Sequence, residues 1–245
     1  MKKALLFLLL GLLGFPAAQA DPFSDANQAF AEGRYDAAIQ GYQALLDARG
    51  WSAPVLYDLG NAEFRAGHPG AALLAYERAR LLAPRDPDLA ANLAHVRAKG
   101  GLPDPRSHAE RAASFLSADE WAGLGSLLLV LGCAALGTAS ALSGTGRRSL
   151  AVLGAAALAG TVLAAAALAV LWPGLSRAIV VVPNATVRLS PFDDAQAAFA
   201  PPEGALLPVL GRHDAWLLVG DGVHADANRR GWIAGREAVL VLPGK

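Results

Sequence analysis

Residues 121–176 read WAGLGSLLLVLGCAALGTASALSGTG, then Arg147 and Arg148, then SLAVLGAAALAGTVLAAAALAVLWPGLS: two uncharged stretches divided by one arginine pair. A helix rises about 1.5 Å per residue, so 121–142 and 150–172 each match the ~30 Å hydrocarbon layer. The pattern predicts two membrane-spanning helices, 121–142 and 150–172, joined by a turn over 143–149. Inserting an arginine at the centre of a span costs about 2.5 to 3.5 kcal/mol, and an excess of arginine marks the cytoplasmic side. Arg147 and Arg148 therefore orient the turn toward the cytoplasm, and both flanks fall on the extracytoplasmic side. Apolar helices also occur in large soluble cores, but a 245-residue chain has too little protein to wrap two of them and hold further domains. Trp121 and Trp172 sit at the two ends expected to share a leaflet, as interfacial anchors. Gly132, Ala135, Gly154, Gly160 and Ala164 permit close approach of the two helices. Neither span holds a carboxylate, lysine or histidine, which argues against a proton relay or ion path.

The start of the chain fits this topology. Lys2 and Lys3 precede an apolar run over 4–15 and a small-x-small site at Ala18-Gln19-Ala20, the pattern of a secretory signal peptide over 1–20, with an uncleaved anchor as the alternative. The single cysteine, Cys133, lies inside the first span, which excludes an intramolecular disulfide and a cysteine-based metal site. The chain is 54% hydrophobic, 17% charged and of zero formal net charge, so it lacks the basic face that nucleic-acid binding requires. Residues 21–120 carry 14 acidic and 10 basic side chains, a net of minus four, which describes a solvated, mildly acidic region.

This region repeats itself at a shift of 34. Asn27 aligns with Asn61, Phe30 with Phe64, Gly33 with Gly67, Ala37 with Ala71, Ala38 with Ala72 and Tyr42 with Tyr76. Six identities over 25–42 exceed the one or two of an arbitrary shift, and the period resembles the tetratricopeptide repeat. The second copy carries the family's pattern as Leu56, Leu59, Gly60, Ala72, Tyr76, Ala79 and Pro84: Gly60 and Ala72 let two helices approach, Tyr76 fills between them, and Pro84 ends the second. In the first copy Ala26 replaces the tight glycine and Leu45 the small residue, so looser packing is expected there. Two repeats need a sealing helix, and 86–99 supplies Leu89, Leu93 and Val96 on one stripe. The all-α repeat domain is thus placed at 21–99, with a linker and juxtamembrane helix over 100–120; Ser117 and Glu120 form a capping box that starts the helix entering the membrane.

Tyr57, Asn61 and Phe64 share one helix face, and Asn27 and Phe30 repeat it in the first copy. One reading is a concave groove that docks a partner segment, the asparagines bonding its backbone and the rings its side chains. The other is that the asparagines brace neighbouring helices and the rings are core.

Beyond Pro173 the pattern changes to short β-branched runs at 179–182, 185–188, 206–210, 215–219, 231–233 and 239–242, separated by turn residues. Glu203-Gly204 before a hydrophobic strand, then Trp216, then Gly231-Trp232-Ile233, resembles a bacterial SH3-like domain, which implies a small all-β barrel over 178–245. Trp216 and Trp232 read as core plugs, with a surface platform as the alternative.

Motifs of chemistry are few. His68, His95, His108, His213 and His224 lack metal-ligand spacing and read as solvated, and no nucleophile elbow, phosphate loop or Cys/His pair occurs. No catalytic residue, metal ligand or cofactor is expected, and no enzymatic activity.

The combination of signal peptide, repeats containing Tyr57-Asp58-Leu59-Gly60-Asn61-Ala62, Trp-led membrane hairpin and terminal SH3-like barrel resembles the BatE family of aerotolerance-operon proteins. That resemblance implies a bacterial inner-membrane scaffold acting beside von Willebrand factor A-domain membrane proteins and a MoxR-type ATPase in stress tolerance or envelope integrity. The fold class expected is a multidomain membrane protein, both large domains periplasmic, working as a non-enzymatic adaptor. Two rivals are a peptidoglycan-binding protein acting through the barrel and an assembly factor for secreted proteins.

Overall fold

The computed structural model describes residues 21–104, 106–221 and 229–242; the expected signal peptide and His224 lie outside them. Five helices stack as antiparallel neighbours: α1 (Pro22–Ala31), α2 (Tyr35–Arg49), α3 (Ala53–Ala66), α4 (Pro69–Leu82) and α5 (Pro87–Lys99). The repeat at 34 residues has a local cause in its turns, since Gly33 and Gly67 both adopt positive φ, +76° and +91°, where a side chain is strained. Asp86 caps α5 by accepting from the Asp88 and Leu89 N–H groups, and Leu89, Leu93 and Val96 are buried against the preceding repeat.

In the second copy a Cβ on Gly60 would lie 2.5 Å from the Tyr76 ring, so glycine is what lets α3 and α4 meet there. The expected loosening of the first copy is corrected by an exchange. Gly41 on α2 faces Ala26 on α1, where a Cβ would come within 2.9 Å of the alanine methyl, so the close approach survives with the glycine on the opposite helix.

Two capping boxes follow. Ser107 and Glu110 start a short helix, α6 (His108–Ala113), in the segment read as linker, and Ser117 and Glu120 start α7 (Ala118–Ala141) as expected. α7 pairs with α8 (Thr145–Leu175). Both are long and apolar enough to cross a membrane, and only 17% and 11% of their most apolar windows are buried, unlike the core helices of a soluble protein. Gly132 packs against Gly154 and Leu158, and Gly125 against Ala164. The expected turn over 143–149 is shorter than read. Gly144, at φ +75°, helps reverse the chain, so α8 begins at Thr145 and carries Arg147 and Arg148, both exposed, in its first turn. Both charges remain at the tip of the hairpin, where long stems reach solvent.

Among the described residues seven strands follow: β1 (Arg177–Val180), β2 (Val187–Arg188), β3 (Ala197–Phe199), β4 (Leu206–His213), β5 (Trp216–Gly220), β6 (Arg230–Ala234) and β7 (Ala238–Leu240). They form one antiparallel sheet in the order β3-β2-β6-β5-β4-β1-β7. β4 bends at an irregularity between Val209 and Gly211, its first half pairing with β1 and its second with β5. The closed barrel expected for 178–245 is corrected here: β3 and β7 are left as edges. The β7 side is occupied by a helix instead of a strand, for Arg78 on α4 donates to the carbonyls of Leu240 and Val241, each at 3.0 Å.

That contact belongs to a larger one. A single core cluster joins Leu56, Leu73, Tyr76, Leu89 and Leu93 of the repeats to Ile179, Leu206 and Val241 of the sheet region. Gly70 gives the interface its closeness. Its N–H donates to Glu203 Oε1 at 3.0 Å, and a Cβ there would meet the Val180 carbonyl oxygen at 2.4 Å. Where the sequence reads two separate units, repeats and sheet pack through shared core, and the hairpin of α7 and α8 is an excursion between them.

Candidate functional site

On the repeat stack, a cleft of about 140 Å³ is lined by Phe30, Asn61, Phe64, Arg65, Tyr76, Asn92, His95 and Val96. Asn61 is held from several sides. Its Oδ1 accepts from the Tyr76 hydroxyl at 2.8 Å and from Asn92 Nδ2 at 3.1 Å, and the same Asn92 amide donates to the Tyr57 hydroxyl at 3.0 Å. The first copy repeats the motif, with the Tyr42 hydroxyl donating to Asn27 Oδ1 at 2.7 Å. Each asparagine thus braces the tyrosine of the following helix. Burial raises the pKa of both phenols, that of Tyr42 to about 12, so neither ionises at neutral pH. Burial also raises the Asp58 carboxyl, against the opposing effect of its hydrogen bond with Asn61.

Phe64 forms the reachable part of the cleft. His95 stacks edge-on at 5.6 Å and Lys99 Nζ lies 4.9 Å from the ring centre, which with Arg65 gives the rim a basic character. The structure therefore brings together Phe30, Asn61 and Phe64 among the residues predicted for the groove; Asn27 and Tyr57 support the wall from outside the lining. Asn92 and His95, on the sealing helix, are additions. The 34-residue shift extended once more maps Asp58 onto Asn92 and Asn61 onto His95, so α5 occupies the groove face of a third repeat. His95, read as solvated, is exposed yet engaged with Phe64.

The second candidate is on the sheet. Trp216 and Trp232 are half-buried, while the alternating positions Leu217, Val219 and Ile233 fill the core, which corrects the plug reading. Register places Trp232 beside both Leu218 and Arg188. The Arg188 guanidinium lies 5.8 Å from the Trp216 ring centre, and the His213 ring is 6.1 Å from that of Trp232. This is an aromatic and cationic face open to solvent.

At the ends of the hairpin, Trp121 Nε1 donates to the Ala113 carbonyl at 2.8 Å, tying α7 to α6, whereas Trp172 is 71% exposed. Among the described residues no group of three or more His, Cys, Asp or Glu is placed to hold a metal ion.

Stacked antiparallel helix pairs with a recessed, aromatic inner cleft define a helical-repeat module of the kind that binds proteins. Residues 29–104 match the family model of the tetratricopeptide repeat, a segment that runs from the end of α1 past α5 and contains every cleft residue. Domains of this family are typically non-catalytic protein-interaction modules. No curated protein matches the chain at a significant level.

Proposed function

We propose that this chain is a non-enzymatic adaptor of a bacterial inner membrane, anchored by α7 and α8, with the repeat cleft and the sheet both on the extracytoplasmic side. The observation that carries the reading is the cleft around Phe64: a half-buried ring, reachable from the cleft and flanked by His95, Lys99 and Arg65, in a module whose family binds proteins. Its chemistry suits a partner segment that offers an apolar side chain next to carboxylates. Fixing that partner beside the bilayer makes a second encounter effectively intramolecular, which is how an adaptor raises complex formation. The order of parts favours a BatE-type complex, with von Willebrand factor A-domain membrane proteins as the partners and a MoxR-type ATPase across the membrane. We read the C-terminal antiparallel sheet as SH3-like in spite of its open edges; the Glu203-Gly204, Trp216 and Gly231-Trp232-Ile233 pattern and the bend in β4 support that reading.

The test is the affinity of the detergent-solubilised full chain for a purified von Willebrand factor A-domain membrane protein from the same cell. Combined Phe64→Ala and His95→Ala substitution should weaken binding by at least about tenfold, the scale of a hot-spot truncation, at a temperature where circular dichroism shows the variant still folded. Equal affinity in a folded variant would refute the cleft as the docking site.

A second reading, peptidoglycan binding, is favoured by the half-buried Trp216 and Trp232, which lie on the face away from the core with Arg188 and His213. It requires the full chain to co-sediment with purified sacculi and Trp232→Ala to abolish that.

A further inference from the structure

Where the hairpin meets the folded head there is a recess of about 80 Å³, bordered by Arg80, Arg106 and Arg177, by the carboxylate of Glu110, and by Leu116 and Leu171, so that three guanidiniums face it against one carboxylate. Its place is fixed by the chain. Leu171 immediately precedes Trp172 near the end of α8, and Leu116 immediately precedes the Ser117 cap of α7, so the recess lies where both helices would leave the hydrocarbon.

The charges around it do not balance. Arg80, Arg97, Arg106 and Arg177 have side chains only 16%, 9%, 20% and 15% exposed, and the carboxylates paired with them are three, Glu77, Asp104 and Glu110. Glu77 serves both Arg80 and Arg97, Asp104 serves Arg106 and lies 3.8 Å from Arg97, and Glu110 serves Arg177. Arg111, 40% exposed and 3.8 Å from Asp104, adds further positive charge. A largely buried set of guanidiniums in excess of carboxylates is costly unless another anion neutralises it. Arg80 registers that cost: burial lowers its pKa, and Arg106 and Arg97 lower it further against the pull of Glu77.

We propose that the recess binds the head group of an anionic phospholipid, its phosphate facing Arg106, Arg177 and Arg80 and its acyl chains running past Leu116 and Leu171 along the hairpin. Guanidinium forks match a phosphate in geometry, and the leucines supply the apolar continuation that a free phosphate does not use. A zwitterionic lipid carries its own ammonium and leaves the excess uncompensated. The proposal rests on α7 and α8 crossing a bilayer.

The experiment uses the full chain purified in mild detergent, equilibrated with equal amounts of phosphatidylglycerol and phosphatidylcholine, washed, and its retained lipid quantified by mass spectrometry. Phosphatidylglycerol should be enriched, and Arg106→Gln should reduce the enrichment about fivefold, the effect of one arginine near an anionic surface. Arg106→Lys should retain most of it, and Arg34→Gln, on the exposed first repeat, all of it. Helical content by circular dichroism confirms that each variant is folded, and the wild-type ratio decides the matter should Arg106→Gln fail to fold. Equal retention of the two lipids in a protein that needs detergent overturns this proposal alone. Displacement of phosphatidylglycerol by millimolar inorganic phosphate assigns the recess to a free anion and overturns the lipid. A chain that is soluble and monodisperse without detergent overturns the hairpin reading as well.

Discussion

Replacing Gly70 by alanine addresses the joint between repeats and sheet at its tightest point. The new methyl carbon would sit 2.4 Å from the Val180 carbonyl oxygen and 2.9 Å from Val181 Cα, where ordinary contacts begin near 3.4 Å, so β1 must retreat by about 1 Å. The same methyl carbon would lie 2.9 Å from Glu203 Cγ, so it also displaces the carboxylate that accepts from the Gly70 N–H at 3.0 Å. Overpacking costs about 1 to 3 kcal/mol and loss of a bond to a charged acceptor about 1.5 to 3, while alanine returns about 1 kcal/mol of helix propensity in α4. The net is a loss of roughly 1.5 to 5 kcal/mol located at the joint, which corresponds to about tenfold or more in local opening. Hydrogen exchange of the full chain in detergent should therefore show lower protection over 177–181 and 203–207, with α1 and α2 unchanged. Glu203→Gln, which keeps the volume, should give a smaller effect of the same pattern. Unchanged exchange of those segments in Gly70→Ala would refute the docking of the sheet on α4. A gain in melting temperature would refute it too, since that is what helix propensity alone predicts.

Other outcomes are expected. Asn61→Ala leaves the buried Tyr76 hydroxyl without its acceptor and should cost about 1 to 3 kcal/mol in thermal unfolding, whereas Asn27→Ala, whose asparagine is exposed so that water can replace it, should cost less. Glu77 is fully buried, which opposes its ionisation, but Arg80 and Arg97 more than reverse this and hold its carboxyl below the ordinary 4.5. A lowered native pKa means stability that is complete above the unfolded value and lost as pH falls through the native one, so the melting temperature should drop below about pH 4.3, and Glu77→Gln should remove that dependence while destabilising the protein by about 3 to 5 kcal/mol at pH 7. Asp58 has the opposite sign: burial raises its pKa, so its charge opposes folding once pH exceeds the native value, and Asp58→Asn should raise the melting temperature at pH 7 with the gain fading in acid. Gly154→Leu, at a site where even a Cβ lies 2.8 Å from Leu136 and 3.0 Å from the Gly132 carbonyl, should separate α7 from α8 and abolish cross-linking between cysteines placed at 125 and 164.

The helices were legible because each is written locally. The 34-residue period, the glycines at positive φ and the Ser-x-x-Glu cap before α7 need no distant partner to be read. The Ser107 and Glu110 box has the same spacing, yet α6 is a turn and a half that follows Gly100, Gly101, Pro103 and Pro105, where composition reads as linker. The joint between repeats and sheet was not legible, because it depends on pairs such as Gly70 with Val180 and Arg78 with Val241, far apart in the chain. One trace of it exists. The first half of α4 runs Ala71, Ala72, Leu73, Leu74, Ala75 and Tyr76, and a helical stretch without a charged side calls for cover on more than one face. The groove showed a similar limit: spacing put Asn61 and Phe64 on one face, but only the hydrogen bonds reveal that Asn61 braces while Phe64 remains available. Trp216 and Trp232 were misjudged because in short strands a one-residue change of phase exchanges inside for outside.

The shared core also sets a schedule for biosynthesis. Leu73, Tyr76 and Leu93 leave the ribosome well before Val241, which follows Val96 by about 145 residues, a delay of roughly 7 to 30 s at ordinary translation rates. Until Ile179, Leu206 and finally Val241 have followed, the apolar flank of α4 is only partly covered. A nascent chain of this design is exposed to proteases and holdases until its last strand arrives, so a stop codon near residue 235 is expected to remove the whole protein from the cell.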